Sequence, residues 1–329
     1  MAICTTRFLL ILSLISAVPI AFLISLELAT PPSRVYYYHS SGFFRETAKW
    51  DDLNRRFLVG FMEGGVGQIA VPDGGQSPET VLEEVRVIDD PDLRGNASLG
   101  ISIDRPRNRL LVVTSDVRGK RFNGLAAYDL STWNRQFLTQ LSGPSDEKSF
   151  ADDVAVDSEG NAYVTDVKQS KIWKVGVDGK FMSTIKSSLF IPKERYKRMF
   201  GLNGIVYHPD GFLIVVHSMS GDLFKVDLDK GSEEAKVKPI NVTGGHLTFG
   251  DGLELLSPTK LVVARHPYTR MLESLDGWET AAVVATLSGL KHRWVTAATV
   301  KDGKVYVNHM LGMGYPKKKH AIVEATFSA

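Results

Sequence analysis

Short runs of apolar residues, separated by polar turns, recur along most of the chain. The clearest run follows Phe150, where the apolar segments and an Asp178-Gly179 turn predict four short strands. These strands are Val154 to Val156, Ala162 to Thr165, Ile172 to Val175 and Phe181 to Ile185. Four antiparallel strands in about forty residues are typical of one blade of a β-propeller.

The same succession of apolar segments repeats along the chain at a long, regular interval. The residues that open the successive units are Glu46, Leu99, Asp152, Asn203, Asp251 and Thr296. The interval falls from about fifty-three to about forty-five residues, which is within the range of a repeat array. The sequence therefore predicts an all-β, six-bladed propeller over residues 30–329. The alternative, an antiparallel sandwich, rarely shows so regular a long period.

The two ends of this repeat region carry candidates for a shared blade. Val35 to Phe44 is apolar and aromatic, and Ala321 to Phe327 is the last apolar segment of the chain. A blade built from both ends would close the ring and remove the exposed sheet edges.

An uncharged apolar stretch precedes the repeats. Phe8 to Leu26 follows Arg7 and is long enough to span a bilayer, so residues 1–29 are interpreted as a signal anchor or a cleaved signal peptide. We expect a protein of the secretory pathway. It would be membrane-anchored with a lumenal or extracellular propeller, or secreted or vacuolar after cleavage. Asn96 and Asn241 begin glycosylation sequons, which are meaningful only for a lumenal protein.

Composition removes several classes of function. The formal charge of the 329 residues is +2, and no basic stripe interleaves with aromatic residues, so a nucleic-acid partner is not expected. The only cysteine is Cys4, which excludes disulfides, thiol catalysis and cysteine-ligated metal in the repeat region. We expect a monomer that acts on or binds a small molecule.

The residues that open the repeats are the first candidates for chemistry. At one end of a propeller channel they would form a ring, and Glu46, Asp152, Asn203 and Asp251 carry oxygen ligands. Converging carboxylates repel one another unless a cation neutralises them. An all-oxygen set suits Ca²⁺ best, with Mg²⁺, Mn²⁺ or Zn²⁺ as alternatives. The competing interpretation is that Asn-Gly and Asp-Gly are ordinary turn dipeptides.

A second set of candidates lies fourteen residues after three of these openers. Asp166, His217 and Arg265 end the predicted return strands, which an antiparallel pairing brings back beside the start of the first strand. They are predicted to face the substrate, with His217 as a proton carrier and Arg265 as a partner for an oxygen atom.

At these positions the sequence resembles the SMP-30/gluconolactonase family, within the wider calcium-dependent phosphotriesterase group. The matching segments are Glu46-x-x-x-Trp50-Asp51, Asp152-Asp153-x-x-x-Asp157, Asn203-Gly204 and Asp251-Gly252. The resemblance covers about residues 36 to 327 and implies a six-bladed propeller with a divalent metal, usually Ca²⁺. It implies ligand roles for Glu46, Asn203 and Asp251. Asp152 stands where the family usually has Asn, which adds a negative charge.

The sequence supports three hypotheses for function. The first is a metal-dependent hydrolase of lactones or related esters, with Asp251 as ligand and as base or nucleophile, and Asp152 as the alternative base. The second is a propeller that binds a small molecule or a protein without turnover. The third is a strictosidine-synthase-like condensation of an amine with an aldehyde, which needs a catalytic carboxylate in the last unit.

Overall fold

The computed structural model describes residues 2–28, 33–72, 80–117, 122–228, 235–288, 290 and 292–328. Within these residues one α-helix, α1 (Ala2–Leu28), precedes twenty-five β-strands. Short 3₁₀-helices interrupt the connections at Pro91–Leu93, Arg105–Arg107, Ser188–Phe190 and Arg195–Met199. The chain after α1 is therefore an all-β structure.

The strands form four sheets, which divide into antiparallel groups of four. A short parallel pairing joins two groups in each of the two larger sheets. The first group is β2 (Arg45–Asp51), β3 (Arg56–Phe61), β4 (Val66–Ala70) and β5 (Leu82–Ile88). The second is β6 (Ala97–Asp104), β7 (Arg109–Ser115), β8 (Asn123–Asp129) and β9 (Arg135–Ser142). The third is β10 (Ala151–Val156), β11 (Ala162–Asp166), β12 (Lys171–Val175) and β13 (Phe181–Ile185).

The other three groups follow the same plan. The fourth is β14 (Leu202–His208), β15 (Phe212–His217), β16 (Leu223–Asp227) and β17 (Lys236–Thr243). The fifth is β18 (Gly250–Ser257), β19 (Lys260–Arg265), β20 (Tyr268–Glu273) and β21 (Thr280–Ser288), with β25 (Phe327–Ser328) added beside β21. The sixth is β22 (Val295–Lys301), β23 (Lys304–Met313), β24 (Lys318–Glu324) and β1 (Val35–Ser40).

The sixth group contains strands from both ends of the chain. β1 pairs with β24 from Val35 opposite Val323 to Ser40 opposite Lys318. The Glu324 N–H also donates to the Arg34 carbonyl at 2.8 Å. The predicted closure by the two terminal segments is therefore confirmed, although the N-terminal strand ends at Ser40 rather than Phe44.

The first strands of the groups form a closed cycle. Each of β2, β6, β10, β14, β18 and β22 contacts the first strand of the next group, and β22 contacts β2. Apolar side chains fill the space between neighbouring groups: Leu111 and Val113 of the second group pack with Val154, Val164 and Trp173 of the third. The second strands are buried along their length because they lie inside these layers. This arrangement is that of a β-propeller.

Antiparallel pairing gives the ring two distinct faces. We define the front face as the end at which β2, β6, β10, β14, β18 and β22 begin, and the rear face as the other end. The second strand of each group returns to the front, since Ala151 pairs with Asp166 and Leu202 with His217. The connections between groups and the loops between second and third strands therefore lie on the front face.

The N-terminal helix α1 precedes the ring. Its side chains are described at Ser13 and from Ile15 to Glu27, so part of the predicted anchor Phe8 to Leu26 lies outside the described side chains. Over the described part of the chain, none of the helices is both long and apolar enough for a membrane crossing. The predicted boundary at residues 29 and 30 falls outside the described residues.

Candidate functional site

Five of the six predicted openers meet at a small cavity on the ring axis. Glu46, Asp152, Asn203, Asp251 and Thr296 line a volume of about 20 Å³. The sixth opener, Leu99, is replaced in the lining by its neighbour Gly100. A cavity of this size has room for a single water molecule or ion. The sequence therefore predicted the convergence of the ring correctly, and the structure adds the scale of the space.

A pairing irregularity at the same level of every first strand explains this geometry. The ladder of β10 passes from Ala151 to Val154 without pairing the two residues between them, and the other first strands break at equivalent places. A bulge of this kind re-aims side chains that regular pleating would send to opposite sides. In consequence Asp152 and its successor Asp153 both line the cavity.

The glycines after the openers allow neighbouring strands to approach closely. A Cβ on Gly204 would lie 2.1 Å from the Asp251 carbonyl oxygen, and one on Gly100 would lie 2.5 Å from the Asp153 Cα. Gly204 and Gly252 are in strands β14 and β18, at the bulge. The interpretation of Asn-Gly and Asp-Gly as turn dipeptides is therefore wrong here, because close strand packing requires these glycines.

Four carboxyl groups share the cavity and disfavour one another's charge. Burial, followed by the charge of Asp153, raises the pKa of Glu46 to about 7. Burial and neighbouring carboxylates hold the pKa of Asp152 well above its usual range, and they do the same for Asp251, where a hydrogen bond from Asn203 acts in the opposite sense. Without a cation, the ring therefore favours protonated carboxyl groups near neutral pH.

Asp153 joins two neighbouring groups of strands. Its Oδ1 accepts the Val154 N–H at 2.9 Å, and its Oδ2 accepts the Ile205 N–H of the next first strand at 3.2 Å. Burial raises the pKa of Asp153 to about 6, although Lys49 and these two N–H groups lower it. We did not predict a role for Asp153 from the sequence. The available signal was a carboxylate where three other units have glycine.

Lys49 and Glu254 separate the ring cavity from a second cavity on the rear side. The Lys49 Nζ lies 2.5 Å from Glu254 Oε2 and 3.3 Å from the Ala298 carbonyl oxygen. Lys49 lines both the ring cavity and a rear cavity of about 550 Å³. Asp302, a carboxylate of the last unit, lies at the rear cavity. Asp302 therefore does not line the ring cavity at which the other candidate carboxylates meet.

The ring residues have the chemistry that a hard cation requires. Their side chains offer only oxygen donors, and the buried Asn203 Oδ1 has no hydrogen-bond partner. Among the described residues, however, no three His, Cys, Asp or Glu side chains lie close enough together to hold a metal ion. The donors thus surround one small cavity without meeting at a single point. The donor chemistry suits a hard cation, but the described side chains do not form a ready coordination site.

Contacts from the sixth group position Glu46. The Asn308 side-chain N–H groups donate to the Arg45 and Glu46 carbonyl oxygens at 2.7 and 3.1 Å. The Thr296 hydroxyl donates to the same Glu46 carbonyl. The closing group therefore holds the first ring residue at the point where the chain completes the circle.

The second predicted set lies at the front ends of the return strands and does not line the ring cavity. Asp166 Oδ1 accepts backbone N–H groups from Phe150, Lys168 and Gln169, all within 3.1 Å. Asp166 therefore orders the front loops, and the structure shows no direct contact between it and the ring.

His217 and Arg265 occupy the equivalent places in the fourth and fifth groups. Burial lowers the pKa of His217 to about 4, its Nδ1 accepts the Ser220 N–H, and its Nε2 is buried without a partner. Arg265 donates to the carbonyl oxygens of Thr248 and Tyr268. Both side chains thus support front loops in this structure, and a substrate role for either remains a prediction.

Comparison with known proteins supports the fold and does not establish a family. No protein-family model matches the chain, and no curated protein matches it. The major Malassezia sympodialis allergen Mala s 1 is similar in structure, with 18% identity and a TM-score of 0.69 over 88% of this chain and 96% of the other. A luciferin-regenerating enzyme has 13% identity and a TM-score of 0.58, over 89% and 95% of the two chains. A protein proposed to be a gluconolactonase has 11% identity and a TM-score of 0.56, over 90% and 94%.

Proposed function

We propose that the chain is a six-bladed propeller that holds a divalent cation in the ring and hydrolyses a lactone or related small ester. The observation that carries the proposal is the convergence of Glu46, Asp152, Asp153 and Asp251 on a cavity of about 20 Å³. Four carboxyl groups with raised pKa values oppose one another, and a cation is the simplest partner that would relieve this repulsion. The resemblance of the sequence to the SMP-30/gluconolactonase family is consistent with it.

Glu46, Asp152, Asn203 and Asp251 would hold the cation, with Ca²⁺ as the best match for an all-oxygen set. A cation bound there supplies Lewis acidity, which polarises a substrate carbonyl. Asp251 would accept the proton of the attacking water, or attack the carbonyl itself, and Asp152 is the alternative base. Asp153 keeps adjacent first strands in register through its two backbone hydrogen bonds.

The proposal is tested first by cation binding. Chelator should lower the melting temperature of the protein, and Ca²⁺ should restore it, because a ligand that binds only the folded state stabilises that state. At a hundredfold excess over the dissociation constant, the gain is about 2.7 kcal/mol. An unchanged melting curve, together with no metal detected by elemental analysis, would rule out the cation site.

The reaction is tested by hydrolysis of a panel of lactones, aryl esters and phosphotriesters, with and without chelator. Asp251→Asn retains an oxygen ligand but removes basicity, so turnover should fall by roughly 10²–10⁴-fold while the cation stays bound. Asp178→Asn is the matched control, since Asp178 is exposed in a rear turn and does not line the ring cavity. Equal activity of the parent and Asp251→Asn would refute the assignment of Asp251.

A propeller that binds its ligand without turnover is the second candidate. The size of the ring cavity supports it, because about 20 Å³ holds an ion but not a substrate carbonyl as well. In that case Ca²⁺ would raise the melting temperature, yet no compound of the panel would be hydrolysed with Ca²⁺, Mn²⁺ or Zn²⁺ bound. This pair of results separates the two candidates.

A further inference from the structure

Exposed aromatic side chains are concentrated on the front face. Outside α1, the described exposed aromatic residues on front loops and strand starts are Phe43, Phe44, Tyr196, Phe200, Phe249, Tyr268, Trp294 and Tyr315. Away from this face, the same exposure is found among the described aromatic residues of the ring only at Phe181. Tyr315 is 91% exposed. Large exposed apolar patches of this kind mark interaction surfaces.

The aromatic residues come from different parts of the ring. Phe43 and Phe44 precede β2, Phe200 precedes β14, Phe249 precedes β18 and Trp294 precedes β22. Backbone contacts confirm that these connections meet: Met219 N–H donates to the Phe200 carbonyl, and Phe249 N–H donates to the Ser218 carbonyl. The front face thus carries a broad apolar rim around the channel instead of one local patch.

Lysine side chains lie beside three of the aromatic residues of this rim. The Nζ atoms of Lys168 and Lys318 lie 5.4 and 5.2 Å from the ring centroids of Phe200 and Tyr315. Lys197 lies in the same way beside Tyr196. Aromatic rings with adjacent cations are typical of proteins at the interface of a bilayer, where the rings sit at headgroup depth and the cations meet anionic lipids.

The apolar helix α1 is fixed to the same face. The Arg293 guanidinium is fully buried and donates to both Glu27 carboxylate oxygens at 2.6 Å. Although burial opposes its charge, hydrogen bonds and attraction from Arg293 and His292 lower the pKa of Glu27 to about 2. Arg293 precedes Trp294 at the front end of β22, so the helix ends beside the rim.

The described side chains of α1 before this contact face solvent. All described side chains from Ile15 to Ser25 are exposed, including Ile15, Val18 and Phe22. The apolar side chains of α1 and the aromatic rim beside its C-terminal end therefore lie next to each other. One apolar layer with anionic groups at its border would contact the helix, the rim and the lysines beside the rim.

We propose that the front face is a docking surface for an anionic phospholipid bilayer, with α1 and the aromatic rim contacting the lipid together. The channel mouth then faces the lipid and the rear cavity faces water. The proposal is independent of the proposed reaction, because it uses no ring residue, and it holds equally for a hydrolase and for a binding propeller.

The first test uses tryptophan fluorescence of the full chain bound to vesicles. Trp294 is 43% exposed on the front face, whereas Trp50, Trp173 and Trp278 are buried. Vesicles of phosphatidylserine and brominated phosphatidylcholine in equal parts should quench part of the emission. Trp294→Phe should abolish that quenching. Trp133→Phe is the matched control, because Trp133 is partly buried in the rear loop between β8 and β9, and the quenching should persist.

The second test separates the rim from the helix. The triple variant Phe200→Gln, Phe249→Asn and Tyr315→Gln, with α1 intact, should bind vesicles at least tenfold more weakly than the parent. The control triple variant Leu53→Gln, Phe181→Gln and Leu275→Gln removes exposed apolar groups away from the front face and should bind as the parent does. Melting curves establish that both variants are folded.

Two results would overturn the proposal. In the first, the full chain binds vesicles but the emission of Trp294 is not quenched, so that the front face points away from lipid. In the second, the parent binds no vesicles, and the front variant instead abolishes self-association in sedimentation experiments, so that a second copy of the chain covers the rim. Neither result depends on whether the chain hydrolyses any compound.

Discussion

The Nζ of Lys49 and the Oε2 of Glu254 are 2.5 Å apart, between the ring cavity and the rear cavity. Lys49 also lowers the pKa of Asp153, so its charge acts on both sides of the barrier. The four ring carboxyl groups are therefore partly compensated by the protein itself. This compensation sets how strongly the ring attracts a cation.

Lys49→Met should tighten Ca²⁺ binding in titration calorimetry, because it removes a positive charge beside the ring. A change of about tenfold corresponds to roughly 1.4 kcal/mol. Glu254→Gln is the paired variant. It keeps Lys49 but removes one carboxylate, so Ca²⁺ binding should weaken. If the Ca²⁺ affinity changed in the same direction in both variants, the effect of Lys49 on the ring would not be due to its charge.

Asp152→Asn should raise the melting temperature of the cation-free protein. Burial and the charges of Glu46 and Asp153 all disfavour the ionised form of Asp152, and the amide removes that cost. The increase in melting temperature caused by Ca²⁺ should become smaller, since one ligand charge is lost. Asp157→Asn is the control: Asp157 orders a rear turn through Glu159 and Asn161, so this change should destabilise both forms equally.

Gly204→Ala should destabilise the fold and displace the ring. The added methyl group would lie 2.1 Å from the Asp251 carbonyl oxygen, which is backbone and cannot rotate away. We expect a loss of at least about 1–3 kcal/mol in the free energy of unfolding, measured by urea denaturation. Gly176→Ala is the control, because the nearest atom there is the side-chain Oδ1 of Asp178 at 3.0 Å. A smaller loss for Gly204→Ala than for Gly176→Ala would contradict the close-approach argument.

The protein should lose stability in mild acid because of three buried histidines. Burial lowers the pKa of His309 to about 3 and those of His217 and His320 to about 4. The unfolded chain therefore takes up protons first as the pH falls below about 6.5, and stability is lost progressively down to about pH 4. The slope should approach about 1.4 kcal/mol per pH unit for each histidine.

Urea denaturation at several pH values, in excess Ca²⁺, measures this slope. His309→Asn should reduce the slope by about a third, because one of the three histidines is removed. The asparagine Oδ1 can still accept the Leu290 N–H that His309 Nε2 accepts. Excess cation is needed because the ring carboxyl groups have raised pKa values, which give pH dependence of the opposite sign. A slope unchanged in the variant would exclude His309 as its source.

The sequence was sufficient to predict where the strands lie and which position of each first strand contributes to the ring cavity. Apolar runs with turn residues located β10 to β13 closely, because each strand is short and β10, β11 and β12 bury apolar side chains. Repetition then placed Asp152, Asn203 and Asp251 at equivalent positions. A repeat imposes the same geometry on each copy, so relative position could be read without coordinates.

The bulges, and the side-chain positions that depend on them, could not be predicted from the sequence. That Asp153 lines the cavity together with Asp152 depends on a break in pairing, which leaves no fixed signature in a single sequence. Contacts across the ring, such as that of Lys49 with Glu254, depend on which units are neighbours and how closely they pack. The position of Asp166 at the end of its strand was predicted from the repeat. Its hydrogen-bond partners, which are N–H groups of the neighbouring loops, could not be predicted in this way.

The closing pair of strands also determines when the ring can form during synthesis. A ribosome produces β1 well before its partner β24, so β1 lacks this partner until the strands between them have been synthesised. Until then the one neighbour described for β1 besides β24 is β5, over the short parallel contact of Tyr38 and His39 with Leu82 and Glu83. The nascent protein is therefore an open array with unpaired edges, and such edges invite aggregation. Release of the C-terminal residues from the ribosome is the event that completes the circle.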